Sequence, residues 1–177
     1  MAAGVGAKSL RLAIDPVPIA YIALGGNLQD PTSQVSSALD ALGSIPRSRL
    51  EARSALYRTA PMGAPGQPDY INAAARLVTD LQPLELLDQL LDIEQRMGRQ
   101  RDGTRWGPRV IDLDLLWYEQ RRLDHPRLSL PHPELHKRAF VLIPLADVAP
   151  PDLCIPGQGS LGELLKSCDH DTVKVMV

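Results

Sequence analysis

Arg99 to Tyr118 reads R-Q-R-D-G-T-R-W-G-P-R-V-I-D-L-D-L-L-W-Y, and its second half decides the fold. From Val110 the residues alternate with a strand's period of two. Val110, Asp112, Asp114 and Leu116 go to one face, and Ile111, Leu113, Leu115 and Trp117 to the other. The second face is wholly apolar and must pack on a core. That fixes the strand and leaves Asp112 and Asp114 side by side on the opposite face, roughly 6–7 Å apart at Cα. Neighbouring carboxylates repel each other. They are tolerated in water, or used to hold a hard divalent cation such as Mg²⁺ through oxygen.

Upstream, Arg96, Arg99, Arg101, Arg105 and Arg109 form a basic run broken by one acid, Asp102, and containing no lysine. The planar guanidinium fork binds phosphate oxygens bidentately. Gly98, Gly103, Gly107 and Pro108 suggest a loop able to fold over a ligand, with Trp106 as its latch. Either feature alone reads more plainly as solvated surface. In the order R-W-G-P-R-x-x-D-x-D they suit phosphoryl-type transfer, where metals bridge a polyphosphate and arginines neutralise charge as it shifts.

The 177 residues suit one domain, with 1–17 as a flexible tail of small residues ending in D-P-V-P. A net charge of −2 offers no general attraction to nucleic acid or an anionic membrane, so the basic run is local and its target small. No run approaches the roughly 18 apolar residues of a membrane span. Cys154 and Cys168 lack zinc-type spacing and are expected as free thiols in a cytoplasmic protein.

Moving outward, Ile19 to Leu24 is a short apolar run typical of a strand covered on both faces, ending at Gly25-Gly26-Asn27. That turn could bring N–H groups to a phosphate, or simply join strand to helix. A helix opens at Pro31, with Val35, Ala38, Leu39 and Leu42 on one stripe and Gly43 as its stop. Arg49 to Tyr57 reads as a weaker strand, followed by the Pro/Gly-rich loop R-T-A-P-M-G-A-P-G-Q-P. Asp69 to Val78 is a strand with Ile71, Ala73, Ala75 and Leu77 toward the core and Tyr70, Asn72, Ala74 and Arg76 opposite. Asn72 is out of place mid-strand: it either faces water or offers donor and acceptor to a heterocycle that Tyr70 stacks on.

A second helix runs from Pro83 to Met97 and is stopped by Gly98. The order is then β-α-β-β-α-β, an α+β, ferredoxin-like core: an antiparallel sheet with both helices on one face and the other free for ligands. Glu119 to Arg122 reads as a hairpin tip. A turn and a short helix ending near Pro144 follow, then a C-terminal extension with a short helix and an edge strand. His132 and His136 sit four apart, but no third zinc ligand is evident.

R-W-G-P-R-V-I-D-L-D-L-L resembles the signature of the 6-hydroxymethyl-7,8-dihydropterin pyrophosphokinase family of folate biosynthesis. Further matches between Tyr21 and about Leu145 include Y-I-A-L-G-G-N-L, Y-R-T-A-P-M-G, Q-P-D-Y-I-N-A-A, I-E-Q-R-M-G-R and L-P-H-P. The resemblance implies transfer of diphosphate from ATP, the co-substrate, to the pterin hydroxymethyl group, releasing AMP. It implies that Asp112 and Asp114 hold two Mg²⁺ ions, and that Arg99 and Arg109 share catalysis with them. Nucleotide contacts would come from Glu94, Arg99, Arg101, Arg105, Trp106, Arg109, Ile111, His132 and Arg138. Pterin contacts would come from Thr59, Ala60, Met62, Tyr70, Asn72, Asp112 and Phe140. Plainer roles remain open: Phe140 in the core, Glu94 on a solvated helix, His132 capping its turn.

This chain departs from the family pattern at Gly26, where the family carries serine in Gly-Ser-Asn, at Ala60, at Pro133 and in its N-terminal tail. A monomer acting on small molecules in the cytoplasm is expected, with neither nucleic acid nor membrane as partner. An RNA-binding module on the same fold is the rival of another class. It would want aromatics and a basic face on the sheet, where this chain offers paired carboxylates. A different nucleotide-dependent transferase or phosphohydrolase would keep the same metal site.

Overall fold

The computed structural model describes residues 17–61, 66–99, 107–119 and 121–176. The expected tail 1–17 lies outside them except for Val17, as do Met62, Arg101, Arg105 and Trp106.

The first strand, β1 (Ile19–Gly26), is buried on both faces as its unbroken apolar run requires. Helix α1 (Pro31–Leu42) follows; the Asp30 carboxylate accepts from the Ser33 N–H at 3.2 Å and so caps it. Strands β2 (Ser48–Arg53) and β3 (Tyr57–Thr59) precede β4 (Tyr70–Thr79), and α2 (Pro83–Arg96) leads to β5 (Asp112–Tyr118). Beyond it come β6 (Leu123–His125), β7 (Leu128–Leu130), α3 (Ala139–Val148), β8 (Cys154–Ile155), β9 (Gly159–Ser160), α4 (Leu161–Ser167) and β10 (Val173–Val175).

The main sheet is antiparallel, in the order β10-β3-β4-β1-β5, with β2 also paired to β4. Ile22, Leu24, Ile71, Ala73, Leu77, Leu113 and Leu115 turn to one face, where they meet Val35, Leu39 and Leu42 of α1 and Leu86, Leu90 and Ile93 of α2. These are the stripes that the helical and strand periods single out.

The structure corrects the expectations at five places. The single strand Arg49 to Tyr57 is two. The Ser54 hydroxyl accepts from the Ala74 N–H at 2.8 Å, and the Ala55 N–H bonds the Asp147 carboxylate, so the ladder breaks between β2 and β3. Alternation in β5 fails after Leu115: Tyr21 pairs with Trp117 but Ile22 with Leu115, so Leu116 is the extra residue of a bulge. Trp117 therefore crosses to the other face, where it stacks on Tyr21 at 5.6 Å.

The chain does turn at Glu119, but β6 pairs with β7 rather than folding back on β5. Pro144 lies inside α3 instead of ending it. Finally, the second face of the sheet is not free. Val141, Leu142, Leu145 and Val148 of α3 pack there with Tyr21, Ala74 and Trp117, and only the end carrying Tyr70, Asn72, Asp112 and Asp114 stays open.

Asp147 of α3 ties this helix to the break between β2 and β3 by accepting from the Tyr57 hydroxyl at 2.9 Å and the Ala55 N–H at 3.0 Å. Burial, and then the Asp147 bond and charge, push the Tyr57 phenol up to about 12. Because the folded value exceeds the unfolded one near 10, this contribution is fully present below pH ~10 and lost as pH rises through about 12. Tyr57→Phe should lower unfolding stability by about 1 kcal/mol in urea melts at pH 8. The gap between the two proteins should close as pH climbs from about 10 to 12; a gap independent of pH would contradict the bond.

Candidate active site

The open end of the sheet's second face holds a cavity of about 110 Å³, the scale of one small ring system. Its walls include Thr59, Ala60, Tyr70, Asn72, Arg109, Asp112, Asp114, Arg138 and Phe140, with Gly25 among the backbone that forms its floor. Nine sequence-predicted residues from four separate stretches of chain thus converge on one space.

The acidic end is built from α2 outward. Gly98 adopts φ +87°, which a residue with Cβ disfavours, and closes α2 by reversing the chain. The Gly98 N–H then bonds the Gln95 carbonyl and the Arg99 N–H the Glu94 carbonyl, both at 3.0 Å. This turn delivers Arg99 back over Glu94, whose side chain is 3% exposed. The Glu94 carboxylate receives the Arg99 guanidinium and, at 2.7 Å, the Leu113 N–H of β5. Arg99 also reaches Asp112 Oδ1 at 2.5 Å, while Arg109 bonds Asp112 Oδ2. Glu94 is therefore neither solvated nor on the cavity wall; it is a buried clamp between helix, arginine and strand.

Asp114, one strand repeat further on, has its carboxyl pushed well above the ordinary range, first by burial and next by the charge of Asp112, with Arg138 and Arg99 opposing. A carboxylate pair so placed fits a hard cation. The donors are oxygens, and a cation would relieve both the burial cost and the repulsion. Two protein carboxylates leave open positions, as suits an ion that keeps water and substrate phosphates. Among the described residues no group of three or more His, Cys, Asp or Glu side chains is placed to hold a metal ion.

At the other end Asn72 is 4% exposed and donates Nδ2 to Thr59 Oγ1 at 2.9 Å. Its Oδ1 faces Gly25, where a Cβ would stand 3.2 Å away. The amide that looked misplaced in a strand is thus oriented by a buried partner. Tyr70 lines the cavity and donates its hydroxyl to the Gly107 carbonyl at 3.2 Å, and the Arg138 guanidinium lies 5.9 Å from the Phe140 ring centre. Ile111 is fully buried in the helix-side core and is not part of the cavity wall. His132 caps its own turn, Nδ1 accepting from the Glu134 N–H at 3.2 Å, and burial, then Arg138's charge, lower its imidazole.

Sequence reasoning passed over Asn27. Its Oδ1 accepts from the Arg109 N–H and its own N–H donates to the Arg109 carbonyl, both at 2.9 Å, while Nδ2 reaches the Pro68 carbonyl at 3.2 Å. The Gly-Gly-Asn turn therefore positions an arginine. Gly26 serves the same approach: a Cβ there would lie 2.3 Å from the Val110 carbonyl oxygen. The signal in the sequence was an asparagine directly after two glycines, which periodicity cannot interpret.

Residues 21–150 match the 7,8-dihydro-6-hydroxymethylpterin-pyrophosphokinase (HPPK) family. The chain belongs to that family. It is 49% identical over 154 residues to a Pseudomonas aeruginosa protein named 2-amino-4-hydroxy-6-hydroxymethyldihydropteridine pyrophosphokinase, covering 87% of this chain and 94% of that one. A Haemophilus influenzae protein of the same name is 43% identical, covering 88% of this chain and 97% of the relative.

Among solved structures, an HPPK-DHPS protein in complex with substrates superposes with TM-score 0.67 at 13% identity, over 86% of this chain and 43% of that one. Plasmodium falciparum wild-type HPPK-DHPS gives 0.65 at 14% identity, over 84% and 43%. The chain spans less than half the length of these HPPK-DHPS proteins, and the likeness shows a common fold. As a member of the HPPK family the protein is an enzyme, a pyrophosphokinase.

If Asn27 holds Arg109 in place, Asn27→Ala strips the acceptor from the Arg109 N–H. Stability should fall by about 1–3 kcal/mol. Amide exchange at residues 107–110 should quicken in the same variant; unchanged exchange there would remove Asn27 from this role.

Proposed function

We propose that this chain transfers the β,γ-diphosphate of ATP to the hydroxymethyl oxygen of 6-hydroxymethyl-7,8-dihydropterin in folate biosynthesis. The Pα–O–Pβ linkage breaks and leaves AMP, a new O–Pβ bond forms, and the hydroxyl proton is released. The observation that carries the reading is one cavity, on the scale of a small ring system, that brings Asn72 and Tyr70 together with a carboxylate pair and two arginines, Arg109 and Arg138.

In this reading Asn72 and Thr59 read the edge of the pterin, with Ala60 and Met62 beside them, and Tyr70 and Phe140 flank its ring. Arg99, Arg109 and Arg138 take phosphate oxygens, Glu94 holds Arg99, and His132 and the Ile111 backbone lie on the nucleotide side. Arg101, Arg105 and Trp106 would close over the ligands and exclude water. Asp112 and Asp114 would hold two Mg²⁺ ions, which supply charge stabilisation to the triphosphate when bound. The chain needs no dedicated base, because in-line transfer to a primary hydroxyl depends on positioning and on stabilising charge as it moves between oxygens.

Residues 18–177 act here as one pyrophosphokinase domain, a ferredoxin-like core with a short helical C-terminal extension. The enzyme works as a cytoplasmic monomer on small molecules alone, without nucleic acid or membrane partners. The strand order, the net charge of −2 and the free thiols of Cys154 and Cys168 support this view.

Incubated with ATP, Mg²⁺ and the hydroxymethyl dihydropterin, the protein should yield AMP and a pterin diphosphate in equal amounts by ion-exchange chromatography. ADP or free phosphate as the product would overturn the assignment. Asp112→Ala and Asp114→Ala should each reduce AMP formation at least ~100-fold while the circular dichroism spectrum is kept, since both remove a metal ligand. Asn72→Ala should instead act mainly on the KM for the pterin, by roughly tenfold or more, the scale of one buried hydrogen bond.

A further inference from the structure

We propose that Arg99 and Arg109 occupy the place of a divalent cation on Asp112, so that metal and nucleotide must load together. The inference rests on the reading of Asp112 as a metal ligand and concerns how that site is kept before loading.

Both carboxylate oxygens of Asp112 are taken, Oδ1 by Arg99 at 2.5 Å and Oδ2 by Arg109, and the side chain is only 20% exposed. Around it, among the described residues, three acids (Glu94, Asp112, Asp114) meet three guanidinium groups (Arg99, Arg109, Arg138). A bare divalent cation entering it meets two guanidinium groups already on its ligand. A bare polyphosphate must draw the same two arginines away from Asp112 and leave that carboxylate unpaired.

Arriving together, the two exchange partners. Each arginine trades a carboxylate for a phosphate oxygen, and the cation takes the carboxylate it leaves. Asp112 keeps a partner at either end of the exchange.

The backbone is arranged so that side chains alone need move. Arg99 is held at its base by the reversal of the chain at Gly98, and its neighbour Glu94 is anchored on the Leu113 N–H. Arg109 has both its backbone N–H and its carbonyl bonded to Asn27. By thermodynamic reciprocity, whatever factor the nucleotide gives the metal, the metal gives the nucleotide.

The test reads metal binding without turnover. Mn²⁺ is titrated into nucleotide-free protein and the free ion is followed by electron paramagnetic resonance. The wild type should bind weakly. Arg109→Ala and Arg99→Ala should each bind at least ~10-fold more tightly, the scale of removing one screened charge a few ångströms away. Arg109→Lys, which keeps the charge, should stay near the wild type. Arg109→Ala combined with Asp112→Asn should lose the gain.

Thermal melts confirm that each variant is folded. Should Arg99→Ala fail to fold because it uncovers Glu94, the Arg109 series decides alone. Arginine variants that bind Mn²⁺ no better than the wild type would overturn the proposal, as would a gain that survives Asp112→Asn. AMP formation by the wild type is measured separately, so a failure of the diphosphate-transfer reading is distinguishable from a failure of this one.

Discussion

The site depends on one buried carboxylate. Glu94 sits at the last turn of α2 with almost no exposure, a position that is costly for an ionised group unless it is paired and hydrogen-bonded. Among its partners are Arg99, brought back by the turn at Gly98, and the Leu113 N–H of β5. Three parts of the chain are thereby locked together: the end of a helix, the start of the arginine-rich segment and the strand bearing the aspartates. Arg99 passes the constraint on to Asp112. The position of the acidic pair follows from this chain of contacts as well as from the pleat of β5.

The sheet then divides its labour between faces. One is filled by α1 and α2 in a continuous apolar core. The other is shared: α3 covers the end with Tyr21, Ala74 and Trp117, and the cavity occupies the end where Gly25 and Ala23 present little bulk. The small residues matter because Asn72 Oδ1 and the Val110 carbonyl lie where ordinary side chains on Gly25 and Gly26 would stand. Serine at position 26, as in the family's Gly-Ser-Asn, would need more room beside Val110 than this chain leaves. The close approach lets Asn27 grip Arg109 through two backbone-directed bonds.

Much of this was legible in the residues. The apolar periods of α1 and α2 are strong because each helix buries a defined stripe, β1 is legible as an unbroken apolar run covered on both faces, and Gly98 marks a helix end for a local steric reason. Tyr70, Asn72, Asp112 and Asp114 fall on one face by alternation alone. Glu94 and Ile111 show the limit of motif matching. They belong to the matched pattern, yet one is a buried clamp and the other a core residue. A motif records that a residue type is needed, not which neighbour it serves.

The sequence by itself determined the α+β class, the order of the main elements, the acidic pair and the arginines around it, because all of these arise from local periodicity and residue chemistry. Only the tertiary structure decided the break at Ser54, the bulge at Leu116, the closure of half the second face by α3 and the gripping of Arg109 by Asn27. Each of those is settled by partners far away in the chain: Ala74 and Asp147 at the break, Tyr21 at the bulge, and the Pro68 carbonyl beside Asn27. A hydrogen bond or a packed ring is worth nothing until its partner arrives, and no local pattern records which partner that will be.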